Sequence, residues 1–184
     1  MTREWNKKIV YLTFDDGPTP GVTPWVLSLL DKYSFKATFF CLGCQAEKYP
    51  TIIKDISTKG HTIGNHGYEH LNGWVTPTKI YFENVRKGAE VLNTKLFRPP
   101  HGKLNPIQWF ILKKKFNIIW WHYLSKDYLK ESTDEKYFYK LLKNTKSKRI
   151  IVFHDTQKAL PFLEKYLEKY FQWLKTKEFQ TELL

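Results

Sequence analysis

The chain has 184 residues, of which 42% are hydrophobic and 17% aromatic, so its length suits one domain and its composition excludes an intrinsically disordered protein. Its formal net charge of +12 favours polyanionic partners such as nucleic acid, anionic lipid or acidic wall polymers. However, the lysines are spread along the chain, and the sequence has neither zinc-finger spacing nor a glycine-rich phosphate loop. We therefore predict a single domain over residues 1–184 with no specific nucleic-acid site.

Strands and helices are predicted to alternate along the chain. Short apolar runs bounded by turn residues predict strands at 8–14, 37–41, 61–64, 96–98, 117–121 and 149–153, with a last short strand at 179–184. Apolar residues at helical spacing predict helices at 25–33, 49–58, 77–92, 106–115, 135–142 and 160–174. Thr76 is a candidate cap with Pro77 at the first helical position, and residues 132–135 are a candidate cap for a later helix. The alternation predicts a parallel sheet covered by helices, either closed into a barrel or open.

Polar residues fall at or just after the ends of these strands. They are Asp15 and Asp16, His66, Arg98, Asp127 and His154. Because parallel α/β folds build their sites at the carboxyl edge of the sheet, we expect these side chains to converge there.

Two neighbouring carboxylates, Asp15 and Asp16, end the first predicted strand before Gly17-Pro18. Two acids in one place repel each other unless a positive group holds one, and a metal ion with one acid as ligand and the other as base meets this need. His66 and His70 are four residues apart, so one backbone turn would point both imidazoles the same way. Two histidines and one carboxylate form a set typical of zinc, whereas an isolated Asp-Gly pair would only indicate a turn.

The N-terminus shows no signal-peptide pattern, and no apolar run is long enough to span a membrane, so we expect a cytoplasmic protein with no membrane span, unless an export segment has been trimmed.

Cys41 and Cys44 have the C-x-x-C spacing, but no second cysteine pair completes a structural zinc site. Cys41 closes an apolar run, which favours a buried free thiol and leaves a disulfide open.

Five motifs in this order resemble the polysaccharide deacetylases of the NodB-homology class, carbohydrate esterase family four. They lie at residues 13–18 (TFDDGP), 64–70 (GNHGYEH), 98–102 (RPPHG), 121–128 and 151–155 (IVFHD). The first three are specific and the fourth is degenerate. The resemblance covers nearly the whole chain and implies an α/β fold, an irregular, incomplete (β/α) barrel with about six to seven parallel strands.

The resemblance also implies a metal site and a base. Asp16, His66 and His70 would bind one divalent metal ion, with zinc as the default. Asp15 would be the general base that accepts a proton from the attacking water, and Arg98 would hold Asp15 by a charged hydrogen bond.

On the leaving-group side, the resemblance implies an acid and substrate contacts. His154 would be the general acid that protonates the departing amine, and Asp127 would orient it. The backbone N–H of His101 would stabilise the oxyanion. Tyr128 and Val152 would contact the substrate.

Three residues depart from the family pattern. His101 stands where the family usually has tyrosine, Leu124 where the fourth motif usually has its first aspartate, and Tyr128 where that motif usually has tryptophan. We expect the backbone N–H of His101 still to serve as a donor and the ring of Tyr128 still to form an aromatic wall, with altered substrate selectivity. Because of the leucine at position 124, the role of Asp127 is the assignment that most needs a test.

The sequence therefore predicts a metal-dependent hydrolase that removes N-acetyl, or O-acetyl, groups from amino sugars in an oligo- or polysaccharide. Three alternatives remain open: a hydrolase of a small non-sugar amide on the same fold, a catalytically silent carbohydrate-binding module, and a basic protein that binds nucleic acid without sequence preference, which steeply salt-dependent DNA binding would reveal. The particular sugar and the oligomeric state are not predicted.

Overall fold

A computed structural model describes residues 7–184; the first six residues of the predicted domain lie outside the described residues. Residues 7–184 contain eight strands: β1 (Lys8–Asp15), β2 (Ala37–Cys41), β3 (Thr62–Asn65), β4 (Leu96–Phe97), β5 (Asn117–Ile118), β6 (Tyr123–Leu124), β7 (Arg149–His154) and β8 (Phe179–Thr181). The same residues contain seven α-helices: α1 (Val22–Tyr33), α2 (Gly43–Lys48), α3 (Pro50–Thr58), α4 (Thr78–Leu92), α5 (Pro106–Leu112), α6 (Glu135–Asn144) and α7 (Leu160–Thr176).

The strands form one parallel sheet in the order β5-β4-β3-β2-β1-β7-β6, and β8 pairs with the beginning of β1. Within residues 7–184 the two ends of this order, β5 and β6, are not paired with each other, so the barrel is incomplete. The predicted fold, an irregular (β/α) barrel with six to seven parallel strands, is thus confirmed.

The core packs around the interior strand β1. Phe14 is fully buried, and its ring stacks on Phe39 of β2 at 5.1 Å and on Phe153 of β7 at 5.6 Å between centroids. Because side chains alternate along a strand, the next residue, Asp15, points to the opposite face. Truncating a buried phenylalanine such as Phe14 costs about 3–5 kcal/mol, so the packing on one side of β1 fixes the position of the acid on the other.

Several local predictions need correction. The helix after residue 76 begins at Thr78, because Pro77 itself is the N-cap, with extended backbone (ψ 137°). Likewise Asp134 is the N-cap of α6, with no side-chain cap hydrogen bond. Helix α2 and strand β6 were not predicted; both are short, so periodicity gives little signal.

Helix α5 starts where the sequence predicts. Asn105 Oδ1 accepts the Gln108 backbone N–H at 2.9 Å, and Gln108 Oε1 accepts the Asn105 N–H at 3.1 Å, which is a capping box.

In the described range, the helices all fall short of the combined length and apolarity that crossing a bilayer requires.

Candidate active site

The strand ends meet around one cavity of about 770 Å³. Its lining includes Asp15 at the end of β1, Asp16 just after it, His66 and His70 after β3, and His154 at the end of β7. Asp15 and His154 are register partners in the parallel pairing of β1 with β7. The predicted residues therefore come together at the carboxyl edge of the sheet.

Asp16, His66 and His70 offer three converging ligand atoms. Asp16 Oδ1 lies 3.4 Å from His66 Nε2 and 3.2 Å from His70 Nε2, and the three atoms lie within 4.8 Å of one another. Asp16 has a positive φ of 77°, a backbone conformation that few residues other than glycine adopt, and this turns its carboxylate out of line with the strand. Such strain at a strand end is typical of a functional site.

The protonation of His66 supports a cation at this point. His66 Nδ1 lies 2.8 Å from the carbonyl oxygen of Arg98, which can only accept, so Nδ1 carries the proton. The lone pair of Nε2 then faces Asp16 Oδ1, an arrangement of two acceptors that a metal ion between them would stabilise. A second hydrogen bond that fixes the tautomer of a ligating histidine is the usual companion of a metal site.

Electrostatics also suits an anionic Asp16. Burial opposes its ionisation, but the hydrogen bond with His70 and the imidazoles of His66 and His154 hold the pKa of Asp16 well below its usual value. Burial lowers the pKa of His66 and keeps it neutral, the form that binds metals. The residues present therefore fit a divalent metal ion.

Two asparagines that the sequence analysis missed shape the loop between the histidines. Asn65 Oδ1 accepts the Gly67 N–H at 2.8 Å, and Asn84 Oδ1 of α4 accepts the N–H groups of Tyr68 and Glu69 at 3.0 and 3.3 Å. Gly88 lets α4 approach this loop, since a Cβ there would lie 2.5 Å from Asn65 Oδ1. Nothing in the periodicity of α4 signals these contacts.

Arg98 is fully buried and binds Asp15. Its Nη1 donates to Asp15 Oδ1 at 2.7 Å and to Thr13 Oγ1 at 2.8 Å, and its guanidinium lies 4.0 Å from the centre of the Phe40 ring. An arginine in this geometry fixes the carboxylate and balances its charge.

His154 is held by a buried acid. Asp127 Oδ1 lies 2.7 Å from His154 Nδ1, and Asp127 Oδ2 accepts the His154 backbone N–H at 2.7 Å. Burial works against the charged imidazole, but the carboxylate of Asp127, its hydrogen bond, and the charges of Asp15 and Asp16 outweigh it and raise the pKa of His154 to about 9. His154 is therefore protonated at neutral pH, as a general acid must be.

The remaining predicted residues divide into two groups. His101 and Tyr128 line the cavity; the His101 ring lies 4.2 Å from that of His70, and Tyr128 presents its ring edge-on to His154 at 4.9 Å. Val152 is buried, two residues before His154 and in register with Thr13, so it lies beneath the cavity and does not line it. Trp121, for which no role was predicted, supplies a further aromatic wall.

A second buried acid supports the first motif from below. Asp155 is 1% exposed and accepts a hydrogen bond from Thr23 Oγ1 of α1 at 2.5 Å. Burial, together with the charges of Asp16 and Asp15, raises the pKa of Asp155 to about 7 despite that hydrogen bond. A Cβ at Gly17 would lie 2.1 Å from Asp155 Oδ2, so this close approach requires glycine.

Comparison with known proteins identifies the family. Residues 2–115 match the family described as "Polysaccharide deacetylase". The chain belongs to the polysaccharide deacetylase family. Two peptidoglycan-N-acetylglucosamine deacetylases of Bacillus cereus are similar to it, one 40% identical over 138 residues and the other 34% identical over 158. The matches cover 71% and 82% of this chain, but only 50% of the first relative and 74% of the second.

Solved structures of this family share the fold. The Bc1960 peptidoglycan N-acetylglucosamine deacetylase, in complex with a substituted N-oxidanyl-benzamide, aligns with a TM-score of 0.90 and 35% identity over 98% of this chain and 87% of its own. A family 4 carbohydrate esterase from Streptomyces lividans aligns at 0.84 with 23% identity, over 96% and 92% of the two chains. A CE4 family pseudoenzyme from Bacillus anthracis aligns at 0.83 with 22% identity, over 96% of this chain and 63% of its own. The fold is therefore shared by active and inactive proteins, and activity has to be argued from the site.

Proposed function

We propose that this protein is a metal-dependent hydrolase that removes the N-acetyl group from an amino sugar in an oligo- or polysaccharide. The observation that carries the proposal is the placement of a base and an acid, Asp15 and His154, in one cavity with the three converging ligand atoms of Asp16, His66 and His70. This arrangement suits amide hydrolysis, which needs proton removal from water and proton delivery to nitrogen.

Asp16, His66 and His70 would hold the metal ion. When bound, such an ion polarises a carbonyl and makes water acidic near neutral pH. Zinc is the proposed ion, since two imidazoles and one carboxylate are a common zinc ligand set. O-deacetylation would use the same residues.

The chain's own groups account for the proton transfers. Asp15 accepts the proton of the attacking water while Arg98 keeps its carboxylate in position. The backbone N–H of His101 donates to the developing oxyanion. His154 then delivers its Nε2 proton to the departing amine, and Asp127 stabilises the imidazolium until that transfer.

The substrate proposal rests on the size of the cavity and on the relatives. A volume of about 770 Å³ is far larger than an acetamide group and falls in the range that accommodates sizeable ligands. Similar proteins are named peptidoglycan-N-acetylglucosamine deacetylases, so N-acetylglucosamine in a polymer is the proposed substrate class. This volume speaks against the small-amide alternative, and the complete set of acid, base and ligand residues speaks against a silent module.

The test is acetate release from N-acetylglucosamine oligomers, with and without a chelator. We expect release by the wild type, loss of release with the chelator, and loss in Asp15→Asn. Asp55→Asn, which neutralises an exposed acid on α3, is the matched control and should be fully active. If metal-loaded wild type released no acetate from any oligomer, the sugar deacetylase proposal would fail.

A further inference from the structure

Most of the exposed large apolar side chains in residues 7–184 lie in two segments of the chain. Ten large hydrophobic residues are strongly exposed in residues 7–184, and six of them lie in just two segments, 74–80 and 107–110. We define the apolar patch as the five most exposed of these six, each between 52% and 79% exposed: Trp74, Val75, Ile80, Ile107 and Phe110. Scattered single apolar residues need no explanation, but a concentration of this kind indicates an interaction surface.

The two segments form one surface because α5 is tied to the loop before α4. Gln108, which is 1% exposed, donates from Nε2 to the carbonyl oxygens of Gly73 at 2.8 Å and Thr76 at 3.1 Å. Ile107 is the residue before Gln108, and Trp74 and Val75 lie in the chain between Gly73 and Thr76, whose carbonyls Gln108 binds. The apolar patch is therefore built on a fixed backbone.

Helix α5 is apolar on both of its faces. Leu112 packs inward with Gln108, whereas Ile107 and Phe110, three residues apart, face outward. A helix that is hydrophobic all round is normally covered on every side, so the outer face of α5 lacks a partner within residues 7–184.

Positive charge surrounds the patch. Residues 91–126 contain no aspartate or glutamate but six lysines, besides the buried Arg98 that pairs with Asp15, and residues 70–82 also lack acids. Lys113 Nζ lies 3.9 Å from the Trp109 ring centre, Lys114 Nζ lies 4.4 Å from that of Phe110, and Lys103 Nζ lies 5.1 Å from that of Trp74. The ammonium groups thus sit against the exposed aromatic rings.

A shallow groove continues the basic surface beyond the C-terminal end of α5. Its lining includes Lys95, Lys114 and Lys115. The lining also includes Glu90, but that carboxylate is paired with Arg86 at 2.5 Å. The lysines therefore give the groove a net positive charge.

We propose that the apolar patch and its lysines bind the surface of an anionic lipid bilayer. Aliphatic and aromatic side chains ringed by lysines are what an interfacial membrane site requires, because the side chains enter the headgroup region while the ammonium groups meet lipid phosphates. A sugar polymer suits the patch less well. Val75, Ile80 and Ile107 offer no hydrogen-bonding groups, and Gln108 already occupies the nearby carbonyls. Lys103 also lines the catalytic cavity, so docking would place the cavity beside the lipid.

The test is sedimentation with unilamellar vesicles, either of phosphatidylcholine alone or of equal parts phosphatidylcholine and phosphatidylglycerol. We expect wild type to bind the anionic vesicles, with binding that weakens as salt is raised. Each lysine near an anionic surface contributes about fivefold, so K113Q/K114Q/K115Q should bind about 100-fold more weakly. I107S/F110S should bind at least about tenfold more weakly through lost apolar burial.

The matched controls lie on or next to α6. K140Q/K143Q/K146Q removes the same charge, and Y139S removes an equally exposed ring; both should bind like wild type. All variants alter exposed side chains and should share the urea midpoint of wild type, and the assay requires no hydrolysis.

Four results would overturn the proposal. The first is that wild type does not bind anionic vesicles at low salt, and the second is that the α6 control variants lose as much binding as the patch variants. The third is that size-exclusion chromatography shows a wild-type dimer that I107S/F110S converts to monomer, which would make a second copy of the chain the partner. The fourth is that wild type is retained on insoluble peptidoglycan but not on vesicles, and that the patch variants abolish this retention.

Discussion

Asp127 binds His154 twice, with one carboxylate oxygen 2.7 Å from the ring Nδ1 and the other accepting the backbone N–H at 2.7 Å. The orientation of the ring is thereby fixed, with Nδ1 donating to Asp127, so that Nε2 faces the cavity that Asp15 also lines. Leucine stands at position 124, where this motif usually has aspartate, and the Asp127–His154 pair is nevertheless intact. The Leu124 side chain lines the cavity.

We predict that Asp127→Asn shifts the alkaline limb of the kcat profile. A general acid works below its pKa, so wild type should lose activity as pH rises through about 9, the pKa of His154. Without the charge of Asp127 this pKa should fall toward the ordinary histidine value of about 6.5, lowering kcat at pH 8 by roughly 30-fold. Asp134→Asn, an exposed acid, is the control; an unshifted limb in Asp127→Asn would remove Asp127 from this role.

Chelation is expected to lower thermal stability as well as activity. A ligand present at 100 times its dissociation constant stabilises the native state by about 2.7 kcal/mol, which for a domain of this size corresponds to roughly 5–10 °C in Tm. Differential scanning calorimetry of zinc-loaded and chelated protein measures this shift. His66→Gln should show a low Tm and no response to zinc, whereas His122→Gln, which leaves all three ligands in place, should respond like wild type.

Asn84 should matter for metal affinity although it is not a ligand. Asn84→Ala removes the side-chain oxygen that accepts the N–H groups of Tyr68 and Glu69. The Tyr68 N–H keeps the backbone carbonyl of residue 84 at 3.2 Å, so the free energy of unfolding should fall by only about 1 kcal/mol. Loosening the loop between the ligands should weaken zinc binding by about 10–100-fold. Competition titration with a chromogenic chelator measures the affinity. Asn84→Asp retains an acceptor oxygen and should recover most of it; failure of this rescue would argue against the hydrogen bonds as the cause.

Gly88→Ala sets helix propensity against packing. Alanine in the interior of α4 would gain about 1 kcal/mol over glycine. However, the new Cβ would lie 2.5 Å from Asn65 Oδ1 and 2.8 Å from the Gly67 carbonyl carbon, and crowding of this kind costs about 1–3 kcal/mol. We expect a net loss of stability in urea unfolding and weaker zinc binding. Lys79→Ala on the exposed side of α4 should lose neither, and a stabilised Gly88→Ala would show that the loop can move aside.

The positions of the catalytic candidates could be predicted because strand periodicity alone locates them. Asp15, Arg98 and His154 end or follow strands, and parallel strands bring their carboxyl ends to one edge. The supports could not be predicted in this way. Asn84 and Gly88 act across the fold on residues 15–23 positions earlier. Gly88 lies on the buried face of α4 with Val85 and Leu92, but the helical spacing that places it there does not say which loop it contacts. The single-domain organisation and the cytoplasmic location stay predictions.

The position of β1 inside the sheet, between β2 and β7, has a consequence for synthesis. Strand β1 is synthesised early, but it can pair with β7 only after residues 149–154 have been synthesised. At about 5–20 residues per second, Asp15 waits roughly 7–28 s on the ribosome for His154. The proposed base and acid, Asp15 and His154, therefore cannot come together before β7 is synthesised. A chain truncated before β7 would lack the proposed acid, and the unpaired edge of β1 could pair with strands of other chains.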